Sequence, residues 1–582
     1  MIDWVHPSIF LILGAFFIPF LKGKVRQVYI PLLPALALAT VALLSPGTHG
    51  VFSFHGLTLT FGRVDKLSLA FAWVFMIAAL IGAVYALHVK DNSQHIAAFV
   101  YAGSAMGATF AGDFITLFIF WELMAVASVW LIWARRVKAS VAAGYRYLLM
   151  HTVGGVVLLA GIVIYYMNTG SIRFEAMHEP GMAFYLILIG FSLNAAIPPL
   201  HAWLTDAYPE ATVTGAVFMS AFTTKTAVYA LVRGYAGTEI LLWMGTFMAL
   251  YGVVFAMLAN DIRRLLSYHI VSQVGFMVAG VGMGTALSIN GTVAHAFTHI
   301  LYKGLLFMGA GAVLHMTGKS KATELGGLYR YMPLTFLLYM IGAFSISAFP
   351  LFSGFVSKSM IISAAGEEHL KWIWLLLTLA SSGTCLSTVL KLPFFTFFGK
   401  DSGIHTTEPP RNMLVAMSMS AFLCVFIGIA PAWLYGLMPT PVDYEPYTAT
   451  HVVWALQILL FTGVGFFMLL KILWGKPKIS LDADWFYRKG AHLFMLFVKR
   501  IVVPIETVMI NAYRYIFRGN LAAADKGFWL DRNVIDGAVN YVAASVLRLA
   551  SALRQVQTGQ LQDYALVMLG SILVLSSIHW FF

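Results

Sequence analysis

The chain has 582 residues, 60% of them hydrophobic and only 11% charged, with a formal net charge of +12 and a mean hydropathy of +0.81. Soluble domains carry about 25% charged residues, so this composition excludes a soluble enzyme and describes an integral membrane protein built from helices of about 20 residues. The two cysteines, Cys385 and Cys424, lie in apolar runs; they offer no disulfide framework, zinc site or iron–sulfur ligand set, and no Gly-rich nucleotide fingerprint is visible, so no cofactor is expected on the chain.

Apolar runs separated by polar punctuation predict about sixteen membrane helices, over 7–21, 28–44, 67–89, 96–111, 114–134, 142–166, 181–204, 212–236, 240–259, 265–284, 288–316, 333–364, 371–398, 413–438, 452–474 and 562–582. The first run is short and has neither a basic stretch before it nor a small-residue cleavage site after it, which argues against a cleaved signal peptide. Basic residues cluster after odd-numbered spans: Lys22, Lys24 and Arg26; Lys90; Arg135, Arg136 and Lys138; Arg263 and Arg264; Lys319, Lys321 and Arg330; Lys400 and Arg411. By the positive-inside rule those connections face the cytoplasm and both termini face outside. The net positive charge is mostly this asymmetry, and no nucleic-acid partner is needed to explain it. Residues 475–561 interrupt the short loops. They read as mostly helical and amphipathic, with Ile535, Val539, Val542, Val546, Leu549 and Leu553 on one face, Pro504 and Gly519–Asn520 marking expected breaks, and thirteen Lys/Arg against six acidic residues between Lys471 and Arg554.

Five ionisable residues stand inside apolar runs: Glu122, Lys225, Lys303, Lys358 and Lys391. A charge at the bilayer centre costs about 2.5–3.5 kcal/mol even on the lenient scale, and such residues normally face a bundle interior or wet cavity and mark ion or proton pathways. Glu122 and Lys225 are expected to form one coupled pair. His295 and His299 share a helical face, with Lys303 a turn further on. Histidine titrates near neutral pH, which favours a proton relay over a metal site, because no carboxylate or cysteine follows at ligand spacing and Lys303 would oppose a cation. Lys391 could instead snorkel to the interface near Lys400 and Asp401. His151, His201 and His269 lie nearer span ends, between interface and pathway. Asp206 and Glu210 fall in a cytoplasmic turn and read either as a site of proton uptake or as a solvated loop.

The charges fall into two five-span groups, each with a proline-broken helix, Pro198–Pro199 in the seventh span and Pro350 in the twelfth. Paired broken helices point to an inverted-repeat transporter. The expected organisation is 1–95, three N-terminal helices; 96–236 and 237–400, the two repeats; 401–474, two further helices; 475–561, a cytoplasmic-side amphipathic segment; and 562–582, a final span.

The stretches FIFWELMAVASVW (119–131), AAIPPLHAWLTDAYPEA (195–211), TTKTAVYALVR (223–233), DIRRLLSYHIVSQVGFM (261–277), HAFTHILYKGLLFMGAGAV (295–313) and FPLFSGFVSKSMI (349–361) resemble the proton-pumping, antiporter-like membrane subunits. That family includes Mrp-type sodium/proton antiporter subunits and the large membrane-arm subunits of complex I and related hydrogenases. The resemblance implies an all-α core of fourteen helices with two inverted five-helix repeats. It makes Glu122 the family's glutamate, Lys225 its eighth-helix lysine, Lys358 the lysine after the second break, and His295, His299 and Lys303 the central relay. Asn194 stands where the family usually has a lysine, and an amide cannot hold a proton, which puts the first half-channel in doubt. The tail also departs: the core resembles a D-type antiporter subunit, whereas the lateral stretch and final span resemble an L-type subunit of complex I. The resemblance implies a subunit of a multisubunit Na+/H+ antiporter in a bacterial or archaeal inner membrane, with other membrane subunits, protons, a monovalent cation and lipid as partners. The alternatives are a pumping subunit of an NADH–quinone oxidoreductase or hydrogenase, with the redox chemistry on other chains, and an energy-coupling subunit for inorganic-carbon uptake.

Overall fold

The computed structural model describes residues 4–473 and 482–581. They divide into two compact units, one ending at Trp485 and one beginning at Phe486. In the first, helices α1 (Ser8–Ala15) and α2 (Gly23–Leu43) precede a hairpin of β1 (Gly47–Phe54) and β2 (Leu57–Val64). Then follow α3 (Lys66–Tyr85), α4 (Asn92–Phe110), α5 (Phe114–Trp133), α6 (Lys138–Thr169), α7 (Met182–Asn194), α8 (Ala202–Ala207), α9 (Val213–Ala221), α10 (Thr223–Tyr235), α11 (Glu239–Leu258), α12 (Ile262–Met283) and α13 (Ala286–Thr317). The unit closes with α14 (Pro333–Ile346), α15 (Ser353–Glu367), α16 (Lys371–Cys385), α17 (Arg411–Ile429), α18 (Pro431–Tyr435) and α19 (Ala449–Leu473). Among the described residues twelve helices are long and apolar enough to cross a membrane. The protein is a multi-pass integral membrane protein. The expected seventh and twelfth spans are each divided, into α7 and α8 and into α14 and α15, and the eighth is divided at Phe222 into α9 and α10.

Polar residues at the ends of apolar runs start the helices. Asp65 caps α3 in a reciprocal box with Ser68, Asp113 caps α5 through the Thr116 amide, and Asp261 caps α12 through the amides of Arg263 and Arg264; each satisfies N–H groups that a helix start leaves free. The centre of the bundle is α10, α12 and α13, enclosed on nearly all sides. α11 packs on α12 almost backbone to backbone: a Cβ on Gly245 would lie 2.2 Å from the Ala279 amide nitrogen, and one on Gly275 2.4 Å from that of Ala249. Small residues at such a contact permit the close packing that replaces hydrophobic driving force within lipid.

The β1–β2 hairpin is an antiparallel pair absent from the expected spans. His55 and Gly56 both have positive φ at its turn, as a two-residue hairpin loop requires. Asp113 accepts the Thr60 amide at 2.7 Å, tying β2 to the start of α5.

The second unit is helical: α20 (Asp484–Phe497), α21 (Val503–Leu530), α22 (Asp536–Val556) and α23 (Leu561–Phe581), with π turns joining the first three. The expected breaks do not occur. Pro504 sits in the first turn of α21, where its missing N–H costs nothing, and Gly519–Asn520 lies within an unbroken helix. At about 1.5 Å per residue, Asp484–Val556 extends on the order of 100 Å. The start of the expected amphipathic segment, 475–481, lies outside the described residues. Val539, Val542, Val546, Leu549 and Leu553 are all exposed, an apolar stripe that the rest of its own unit leaves uncovered among the described residues. Truncation after Gly475 should therefore lower co-purification of partner subunits several-fold while leaving the thermal unfolding of the remaining core within a few degrees of the full chain. Wild-type recovery of partners with the truncated chain would refute an assembly role for the tail.

Candidate proton-translocation site

Helix discontinuities place the lysines. At the break between α14 and α15, Ala348 and Leu351 have positive φ, and Gly354 lies so close to α14 that a Cβ would meet the Ser345 carbonyl oxygen at 1.7 Å. The interrupted ladder turns the Ile346 carbonyl inward, where Lys358 Nζ donates to it at 2.5 Å. Lys225 makes the same kind of contact in the first half: one turn past the break at Phe222, its Nζ donates to the Ser220 carbonyl (2.6 Å) and to Thr224 Oγ1 (3.0 Å). Both side chains are fully buried.

Between them lie His295, His299 and Lys303 on α13. His295 contacts Ser357 Oγ through Nδ1 (3.2 Å) and the Tyr302 hydroxyl through Nε2 (3.3 Å), and Ser357 is hydrogen-bonded to Thr298 (2.8 Å). The His299 ring is 6.2 Å from that of His295. Neither ring nitrogen of His299 nor the Nζ of Lys303 has a hydrogen-bond partner among the described residues, although all are buried. Buried polar groups are nearly always paired, so these atoms stand out among the described residues. His299 lies within electrostatic range of Lys225, Lys303 and Lys358, and His269 within range of Lys303, Lys358 and Lys391. Seven of the expected residues thus form one chain of influence: Lys225, His299, Lys303, His295, Lys358, His269 and Lys391. A cavity of about 400 Å³ adjoins the second break, lined in part by Ser347, Ser359, Ser363, Thr378 and His451.

Several expectations need correction. Glu122 and Lys225 do not form an ion pair: Glu122 Oε1 has no hydrogen-bond partner among the described residues and lies against Gly155 of α6, while Lys225 is satisfied by its own helix break. Lys391 does not snorkel. It is buried and donates to the carbonyls of Met257 and Ala259, which end α11, where a cation is favoured by the helix dipole. His269 is not at an interface but fully buried, with Nε2 2.6 Å from Ser387 Oγ. Asp206 is not in a solvated loop: it is a buried residue of α8 in a two-point ion pair with Arg146 (2.6 and 3.1 Å), and Glu210 pairs with Arg135 (3.1 Å).

Asn194 ends α7 immediately before the first break and interacts with His151, whose ring centroid is 4.5 Å from that of Trp203. Residues that the sequence alone does not single out include Ser357, Thr298, Tyr302, Ser387 and Gln273, all buried, with Gln273 Nε2 3.3 Å from Thr384 Oγ1. Hydroxyls and amides at mid-span carry little weight in hydropathy, and it is the contacts of Ser357 and Tyr302 with His295 and of Ser387 with His269 that give them meaning. Among the described residues no group of three or more His, Cys, Asp or Glu comes together as metal ligands.

The family model described as NADH:quinone oxidoreductase/Mrp antiporter, transmembrane, matches residues 111–387, the stretch that holds both breaks and all the buried lysines except Lys391. Over that stretch the chain is similar to this antiporter-like family. It is 29% identical to Hydrogenase-4 component B of Escherichia coli (strain K12) over 441 residues, 66% of this chain and 64% of that protein. The chain thus spans just under two thirds of that relative's length. It is also 29% identical to the D-type Na(+)/H(+) antiporter subunit of Alkalihalophilus pseudofirmus over 376 residues, 60% of this chain and 75% of that protein. In fold it is similar to a chain of the membrane-bound sulfane sulfur reductase, an archaeal respiratory membrane complex, with a TM-score of 0.70 and 23% identity, covering 98% of this chain and 99% of that one. The fold likeness to the archaeal chain extends through the tail.

Proposed function

We propose that the chain translocates protons as a membrane subunit of a multisubunit cation/proton antiporter exchanging Na+ or another monovalent cation. Protons pass along Lys225, His299, Lys303, His295, Lys358, His269 and Lys391, and Glu122 exchanges protons at the edge of the bundle. The observation that carries the reading is the file of buried cationic and imidazole groups, two of its lysines held by carbonyls at helix breaks. A lysine satisfied by neutral oxygen, without a carboxylate partner, is cheaper to deprotonate than an ion-paired one, because losing its proton strands no opposite charge. A second reading, in which redox chemistry on other subunits drives the same path, is favoured by the near full-length fold likeness to a respiratory chain, tail included. The purified assembly in vesicles with an internal pH dye distinguishes them. A Na+ or K+ gradient that moves protons supports antiport, proton movement only with an electron donor supports the redox reading, and none under either condition rejects both.

Gly155 tests Glu122. A Cβ there would meet Glu122 Oε1 at 2.0 Å, so Gly155→Ala must displace the carboxylate, while alanine gains about 1 kcal/mol of helix propensity. Transport should fall several-fold with thermal stability unchanged or slightly raised. Equal rates in Gly155→Ala and wild type would remove the need for Glu122 in its present position.

A further inference from the structure

We infer that Asp482 is a positioning residue for the first half-channel: it fixes one ring nitrogen of His201 so that the other takes up and releases a proton at the first helix break. The inference rests on the proton-translocation reading above. Asp482 lies just before α20, far along the chain from the first repeat, yet it is buried. Its carboxylate accepts from His201 Nε2 at 3.1 and 3.3 Å, from the hydroxyls of Tyr251 on α11 and Tyr268 on α12, and from the Ala483 amide at 2.5 Å. Burial alone would raise this carboxyl. The hydrogen bonds from His201, Tyr251 and Tyr268 outweigh it and hold the group well below the usual carboxylate range, so the charge persists at physiological pH.

His201 closes the segment between α7 and α8. Its side chain is fully buried, and its Nδ1 has no hydrogen-bond partner among the described residues. With Nε2–H committed to Asp482, the neutral ring presents an unprotonated Nδ1, since the bond at one nitrogen sets the tautomer at the other. A proton arriving at Nδ1 makes an imidazolium stabilised by the adjacent carboxylate, and the same proton leaves from Nδ1 to the next acceptor. Only bonds to hydrogen change: the donor's breaks as Nδ1–H forms, and Nδ1–H breaks as the acceptor's forms. This gives the first break an imidazole where Asn194 offers only an amide. Among the described residues the other charged groups on these elements include Asp206 with its partner Arg146, Glu210 with Arg135, Arg263, which donates to the carbonyls between α8 and α9, and Arg264, which acts on Tyr268.

The test uses the complete assembly in vesicles. Asp482→Asn, which keeps shape but removes charge, should slow proton transport about tenfold or more and shift the rate–pH profile to lower pH, because the imidazolium loses its counter-charge. Asp482→Glu should restore most of the rate. A wild-type rate and profile in Asp482→Asn would overturn the inference. Lys225→Ala is measured alongside: if it is inactive while Asp482→Asn is normal, only the role of Asp482 falls, whereas a wild-type assembly that moves no protons overturns the functional reading and this inference with it. If Asp482→Asn fails to assemble, the double variant Tyr251→Phe/Tyr268→Phe decides. It keeps the charge, removes two donors and so strengthens the hold on the imidazolium; a profile shifted to higher pH supports the inference and an unmoved profile overturns it.

Discussion

Lys225→Ala should reduce proton transport to the leak of protein-free vesicles while leaving the assembly intact. Lys225 is fully buried and is the only cationic side chain on α10 apart from Arg233 near its end. His295, His299 and Lys303 all lie within its electrostatic range. On the proposed function, removing it therefore takes away both a proton carrier and the charge that biases its neighbours. Folding should suffer little. The exposed loss is the Ser220 carbonyl, worth about 1–3 kcal/mol if left unpaired, and it is offset by removal of a buried charge whose desolvation is itself costly. Lys225→Arg separates charge from proton carriage, because a guanidinium keeps its proton at any physiological pH. It should fold and assemble yet transport no better than the alanine variant. Substantial transport by Lys225→Arg would mean that the site supplies only a fixed charge.

Arg263→Ala should destabilise the core by about 3 kcal/mol or more. Arg263 sits in the first turn of α12 and is buried. Its guanidinium donates to the carbonyls of Pro209 (2.9 Å), Tyr208 (3.2 Å), Ala211 (3.0 Å) and Thr212 (3.2 Å), four acceptors on the segment that leads from α8 into α9. Charge-assisted bonds of this kind contribute about 1.5–3 kcal/mol each, and deleting the donor leaves several buried oxygens bare together. The same segment carries Glu210 and follows Asp206 and His201, so its loosening should also be felt at the first break. Thermal unfolding of the purified chain should shift down by several degrees, with new protease cleavage between α8 and α9. Arg263→Lys should recover only part, because one ammonium cannot span four carbonyls. An unchanged melting temperature in Arg263→Ala would show that the segment is held by packing alone.

Much of this is legible from the order of residues. The expected spans coincide closely with the helices, as 288–316 does with Ala286–Thr317 and 240–259 with Glu239–Leu258, because in lipid every backbone polar group must be satisfied within its own segment and an apolar run of sufficient length has one outcome. Pro198–Pro199 and Pro350 locate two of the breaks for the same reason, since proline removes a donor that nothing local replaces. The hairpin escapes a reading for spans although His49–Thr60 alternates and turns on His55–Gly56, because a period of two is easily overlooked between long apolar runs. The tail departs from expectation at Pro504 and Gly519, where local breakers do not interrupt the helix.

What the sequence determined by itself was therefore the membrane setting, the approximate bounds of most spans, and the presence of charges that had to find one another inside. Which partner each charge takes was decided only by tertiary structure. Complementary charge matches Lys225 to Glu122, yet in the fold it is held by the Ser220 carbonyl and Thr224, because a helix break beside it offers oxygen at closer range than a carboxylate on another helix. His201 finds Asp482 across 281 positions of sequence, a separation over which no periodicity operates. Local pattern dictates which backbone groups are satisfied within a helix. The geometry of packed helices alone dictates which freed carbonyls, hydroxyls and carboxylates surround a buried proton-carrying group.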